Sequence, residues 1–310
     1  MPNNHAKNSP LPDQSESRPD PRVLRLIASA AAQRAGLPLA EAFRARNPPA
    51  GMDVTTKSSS HDLLTRHDGA TETALARELT EAFPDSRVTG EEQGARGTGA
   101  LEWIVDPIDG TSNFVHGFAM FSLSIAAVFA GEVIAGVVHD PVNGLTFSAD
   151  DDGAYLFSGD AEIRLESPRA GEPSQRGEQT LNLMTSYPSA EVLAQEGRLA
   201  LDTFAEMVSI YSTVRRVVSG ALELCHAAAG WADVVIGVDT RPWDIAAGML
   251  ILRRAGGTYL ALGHPDMTPG RLKPDHLAPD YLGLAPGVDS PAARRLIGEA
   301  SARRRRFSHS

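Results

Sequence analysis

Two aspartates three positions apart stand in the run Asp106-Pro107-Ile108-Asp109-Gly110-Thr111-Ser112-Asn113-Phe114. The apolar segment before them, Leu101 to Val105, reads as a buried strand from its length and bulky residues. Carboxylates so spaced at a strand end can converge on one hard cation. Pro107 fixes the local φ and removes a backbone donor, so the chain turns and the Ile108 carbonyl can face a metal. Mg²⁺ takes oxygen ligands, usually a few carboxylates completed by water and substrate phosphate. Gly110-Thr111 opens a turn whose backbone amides can face an anion. Carboxylates for a metal beside amides for a phosphate point to phosphoryl transfer. Taken alone, the same residues would make an ordinary turn, since Asp, Pro and Gly are the usual turn formers.

Three other segments bear on that choice. Glu91 and Glu92 lie between Gly90 and Gly94, where a solvated loop is the plainer reading. Lys57 to Asp68 precedes a helical pattern from Thr71 to Phe83. Arg241-Pro242-Trp243-Asp244 opens a helix that runs to Ala255 and stops at Gly256-Gly257. Asp244 falls in its first turn, where a carboxylate also complements the helix dipole.

In this order, the four segments resemble the inositol monophosphatase family, within the wider superfamily of Mg²⁺-dependent, lithium-sensitive sugar phosphatases. The resemblance covers residues 22–300. It implies an α+β fold, layered α-β-α-β-α, with two coupled subdomains. Residues 21–165 would form an N-terminal metal- and phosphate-binding subdomain and 180–300 a C-terminal α/β subdomain completing the site. A disordered tail, 1–20, and a basic tail, 301–310, would flank them. By the same resemblance, Glu91, Asp106, Asp109, Asp244 and the Ile108 carbonyl hold two or three Mg²⁺ ions, with Asp106 bridging two of them. Thr111, Glu91 and Asp68 would orient a metal-activated water, and the Gly110 and Thr111 amides would hold the phosphate. Ser219, Gly220 and Asp239 would meet the alcohol half of the substrate.

Two positions depart from the family pattern. Counting without gaps back from Asp244 places Gly237 where inositol monophosphatases usually carry a hydroxyl-binding glutamate, with Asp239 two residues on. That implies a pocket lacking one acceptor and having extra room. The family's usual glycine before Ser219 is Val218 here. The expected reaction is hydrolysis of a small polyol or sugar phosphate, inositol 1-phosphate or a related compound. Histidinol phosphate, fructose 1,6-bisphosphate or a nucleotide bisphosphate are the alternatives, as is a non-catalytic regulatory protein on the same fold. A two-metal nuclease would need a basic track for the polymer backbone, and only the terminal arginines offer one.

The remaining sequence is compatible with this and less specific. The chain has 310 residues, 42% of them hydrophobic, enough for a substantial core. Its net charge of −10 argues against nucleic acid as a partner. The single cysteine, Cys225, lies in an apolar helical stretch and suits a reducing compartment. No apolar run has transmembrane length and no signal-peptide core is evident, so a cytoplasmic protein away from membranes is expected. A homodimer is expected from the resemblance. The nine histidines show no paired ligand spacing. His116 matches a position common in the family and reads as structural, while Lys57 falls in a loop expected to be mobile, Asn47 to Ser60.

The elements that must position these residues follow from pattern. Helices are expected over Arg22 to Ala35, Ala190 to Met207 and Ser219 to Ala229. Phe121 to Ala130 and Val133 to His139 read as a hairpin. Leu181 to Ser186, Thr213 to Val218 and Asp233 to Val238 read as strands, after a polar separator from Glu166 to Gln179.

Overall fold

The computed structural model describes residues 17–45, 54–56, 63–166, 176–263 and 274–307. Asp20 caps the first helix, α1 (Pro21–Arg44), by accepting a hydrogen bond from the Arg22 amide, and Pro21 is pre-set for the first turn. The helix outruns its expected end at Ala35. It passes Gly36 and Pro38 because Leu39 and Ala40 are buried, so packing overrides local propensity. A short ribbon, β1 (Val54–Thr56) with β2 (Leu63–Thr65), leads into α2 (Arg66–Ala82).

The larger sheet has eight strands: β3 (Arg87–Gly90), β4 (Gly94–Arg96), β5 (Leu101–Asp109), β6 (Ser122–Phe129), β7 (Glu132–Asp140), β8 (Leu145–Ala149), β9 (Ala154–Ser158) and β10 (Ala161–Arg164). Their spatial order is β10-β9-β8-β7-β6-β5-β3-β4. Between β5 and β6 lies the short helix α3 (Thr111–His116). The expected hairpin is β6–β7, and β8 to β10 extend the sheet beyond it. Almost every residue of β5, β6 and β7 is buried, because helices cover both faces of these central strands. Trp103, fully buried, packs with α1 and α2 on one face. Burial of a large apolar side chain stabilises by roughly 1.5–3 kcal/mol.

The smaller sheet contains β11 (Asn182–Thr185), β12 (Thr213–Arg215), β13 (Val234–Gly237), β14 (Thr258–Leu262) and β15 (Asp280–Leu284), in the order β12-β11-β13-β15-β14. Its outer face packs against α4 (Ala190–Glu196), α5 (Arg198–Ile210) and α8 (Pro291–Phe307). The helix expected over Ala190 to Met207 is two helices, broken where Gly197 takes φ 56°. Between the sheets lie α6 (Gly220–Ala228) and α7 (Pro242–Arg254), whose apolar residues share one core with both. The result is five layers, α-β-α-β-α.

The tails are described in part. Of segment 1–20, residues 17–20 are placed, with Arg18 paired to Asp151 at 2.7 Å; the rest lies outside the described residues. Segment 301–310, expected as a basic tail, is helical through Phe307. There Arg303 bonds Glu196 at 2.8 Å and Arg304 bonds Asp239 at 2.8 Å, so these arginines anchor α8. Lys57 and most of the Asn47 to Ser60 loop lie outside the described residues. No described helix is long and apolar enough to cross a membrane.

Candidate active site

Strand β5 delivers both central aspartates. Its pairing with β6 shifts register between Asp106 and Asp109, at the proline that has no amide to give the ladder. The Asp106 carboxylate accepts the Ile108 amide at 2.9 Å, fixing the turn. Gly110 follows at φ 94°, a left-handed conformation that admits glycine without penalty, and α3 starts at Thr111. Asn113 ties this turn to its surroundings, donating to the Met120 and Val217 carbonyls at 2.6 Å each.

Asp68 supports Thr111 from below. One carboxylate oxygen accepts the Thr65 amide (2.8 Å) and hydroxyl (2.6 Å), closing the capping box of α2. The other lies 3.1 Å from the Thr111 hydroxyl, which is also 3.0 Å from the Ile108 carbonyl. Glu91 follows β3, with its amide bonded to the Val105 carbonyl. The next amides, of Glu92 and Gln93, donate to Glu72 at 2.7 and 3.1 Å. Glu72, fully buried on α2, therefore shapes the loop that presents Glu91.

Asp109 is gripped from the second half of the chain. One of its oxygens accepts the Ser219 hydroxyl at 2.6 Å and the Ala221 amide at 2.9 Å. Asp244, third residue of α7, accepts the Arg241 amide at 2.8 Å. Asp239 adopts φ 63°, with its amide on Asp280.

Burial raises the pKa of each buried ligand candidate. Asp106 is pushed well up by burial, then by Glu91, Asp109 and Asp244. Burial lifts Asp109 to about 6 against the pull of Ser219 and the Ala221 amide. Asp244 rises to about 8 through burial and then the charge of Asp109. Hard oxygen donors that burden one another in this way fit a divalent cation, whose charge would relieve both the desolvation and the repulsion. Among the described residues no three acidic, histidine or cysteine side chains close around one point.

One cleft of about 270 Å³ collects Glu91, Asp106, Ile108, Asp109, Gly110 and Thr111 from the first half of the chain. Gly220, Asp239 and Asp244 join them from the second. Two expected site residues lie behind its wall: Asp68 under Thr111, and Ser219, fully buried, with its hydroxyl on Asp109. His116 is exposed and its ring bonds the Ser112 carbonyl. Sequence reasoning missed Glu223, Ser186 and Tyr281, which also line the cleft. Glu223 stands four residues after Ser219, on the same helical face, and that spacing was a usable signal. Burial, then Asp109, lifts its carboxyl to about 8.

The extra room expected at Gly237 is absent. Gly237 is paired with Tyr281 across β13 and β15, and a Cβ there would collide with the tyrosine ring. A larger hollow of about 640 Å³ lies at the far end of α7. Its two arginines, Arg253 and Arg254, are already paired with Asp275 and Asp151.

Residues 20–295 match the inositol monophosphatase family. The chain is 35% identical to the Nus factor SuhB of Pasteurella multocida over 254 residues, 79% of this chain and 88% of that protein. It is 31% identical to the fructose-1,6-bisphosphatase/inositol-1-monophosphatase of Aquifex aeolicus over 206 residues, 66% and 74% of the two chains. The crystal structure of extragenic suppressor protein SuhB from Bartonella henselae superposes with a TM-score of 0.73 at 25% identity, covering 90% of this chain and 98% of that one. Fold and relatives together define a phosphoric monoester hydrolase. The chain belongs to the inositol monophosphatase family.

Proposed function

We propose that the protein is a Mg²⁺-dependent phosphomonoesterase acting on a small polyol or sugar phosphate, such as inositol 1-phosphate. The observation carrying this reading is one cleft that joins four carboxylates, from β5, α7 and the loop after β3, to the Gly110-Thr111 turn. Glu91, Asp106, Asp109, Asp244 and the Ile108 carbonyl would hold two or three ions. When bound, Mg²⁺ supplies Lewis acidity toward the phosphoryl oxygens and lowers the pKa of water.

The chain's own groups do the positioning. Amides of Gly110 and Thr111 hold phosphate oxygens at the start of α3. The Thr111 hydroxyl has one proton and two candidate acceptors, Asp68 and the Ile108 carbonyl. Its lone pairs are thereby turned toward a water in the cleft, which Glu91 also orients. Gly220 and Asp239 contact the alcohol half, while Ser219 serves the substrate indirectly by fixing Asp109. By family resemblance the enzyme is lithium-sensitive, homodimeric and cytoplasmic, with no nucleic-acid or membrane partner. The one cysteine, Cys225, is free and buried, which suits a reducing compartment.

Phosphate release from a panel of inositol, sugar, histidinol and nucleotide phosphates tests the proposal. Mg²⁺-dependent release, strongest from polyol or sugar phosphates, is expected. A preference for nucleotide bisphosphates or histidinol phosphate would replace the substrate class.

A further inference from the structure

The wall at the end of β13 is aromatic. Tyr281, fully buried, stands over Gly237 and stacks on Tyr259 with ring centroids 5.2 Å apart and planes at 16°. No carboxylate at position 237 can therefore read a substrate hydroxyl. Two other polar groups of the cleft rim each already have one partner. Asp239 is paired with Arg304 at 2.8 Å, and the Thr240 hydroxyl donates to the Pro279 carbonyl at 3.0 Å.

Ser186, just past β11, and Glu223 on α6 line the same cleft. The Ser186 hydroxyl lies 3.4 Å from the Glu223 carboxyl, a weak contact that leaves both groups hydrogen-bonding capacity. Whichever of the two holds the proton between them, a hydroxyl and a carboxyl side by side offer a ligand both a donor and a lone pair, the pattern that recognises an alcohol O–H. Glu223 is almost wholly buried and already faces the Val217 and Val218 amides, so a ligand hydroxyl would take up its remaining hydrogen-bonding capacity and offset part of its desolvation.

We propose that Ser186 and Glu223 are the specificity-determining pair for the alcohol half of the substrate. They would read a free hydroxyl near the phosphate ester in place of a glutamate at position 237. The inference rests on the phosphatase reading and adds to it the residues that choose the substrate. It favours a hydroxyl-bearing phosphate ester over one whose organic half is purely apolar, because a buried polar pair left without its partner is penalised.

The experiment compares kcat/KM, in the presence of Mg²⁺, for phenyl phosphate and for the best-cleaved of inositol 1-phosphate, fructose 1,6-bisphosphate and glycerol 2-phosphate. Wild type, Ser186→Ala and Glu223→Gln are measured. The ratio of polyol to phenyl ester should fall about tenfold in each variant, mainly through KM of the polyol ester. Ser186→Ala removes only a cleft-lining hydroxyl, so it keeps the test open should Glu223→Gln fold poorly. Equal losses on both esters would overturn the proposal, marking the pair as mere supports of the 217–219 turn and Asp109. An unchanged ratio would overturn it too. No Mg²⁺-dependent release from any ester by wild type would instead remove the phosphatase reading, and this inference with it.

Discussion

At the scale of single residues, Ser219 carries information that sequence spacing lacked. Expected at the substrate, it donates instead to Asp109 at 2.6 Å, a short bond to a carboxylate that favours the ionised form a cation needs. Ser219→Ala should raise the Mg²⁺ concentration for half-maximal activity by roughly 10–100-fold, the usual effect of losing a group that orients a ligand. Titrating Mg²⁺ at saturating substrate checks this; an unchanged midpoint would mean the Ala221 amide alone suffices. Asp106 and Asp109 were legible because their spacing is local and lies beside a strand signal. The Ser219 contact spans more than a hundred residues, and no local pattern encodes it. Gly237 was legible as a departure but not in its meaning, because its partner Tyr281 is contributed by a strand the sequence reading had not assigned.

Among the elements, the turn into α6 stores strain. Val218 adopts φ 61°, a conformation costly for a β-branched residue, and lines the cleft beside Gly110. Val218→Gly should stabilise the protein by about 1 kcal/mol, the relief of a left-handed conformation less the extra freedom of the unfolded glycine. Urea unfolding measures it, and a loss of stability would show that the valine side chain packs better than its backbone conformation suggests. Elements with strong apolar runs, such as β5 to β7, were readable. The last helix was readable only in retrospect. Ala293, Leu296, Ile297 and Ala300 form a buried stripe at helical spacing, but the arginines after it suggested a solvated end. Those arginines are the anchor, since Arg304 reaches Asp239 at the cleft rim.

For the whole molecule, two sheets meet around α6 and α7, and the acidic cleft lies where both halves of the chain contribute. Burial holds Asp244 and Glu223 near 8, so the folded metal-free chain retains protons that the unfolded chain has released. Stability should therefore decline as pH rises from 6.5 to 8. His139 and His226, lowered by burial to about 4, act in the opposite sense but only below their usual 6.5. In chelator, Tm should be lower at pH 8 than at pH 6.5, and added Mg²⁺ should raise Tm more at pH 8; a flat profile would separate these carboxyls from metal binding. The most direct measurement is phosphate release from inositol 1-phosphate and fructose 1,6-bisphosphate by wild type and Asp106→Asn, with Mg²⁺ and with chelator. The site described here predicts release that requires Mg²⁺ and drops by orders of magnitude in a folded Asp106→Asn variant. Release that persists in chelator, or near-normal turnover by that variant with Mg²⁺, would contradict it.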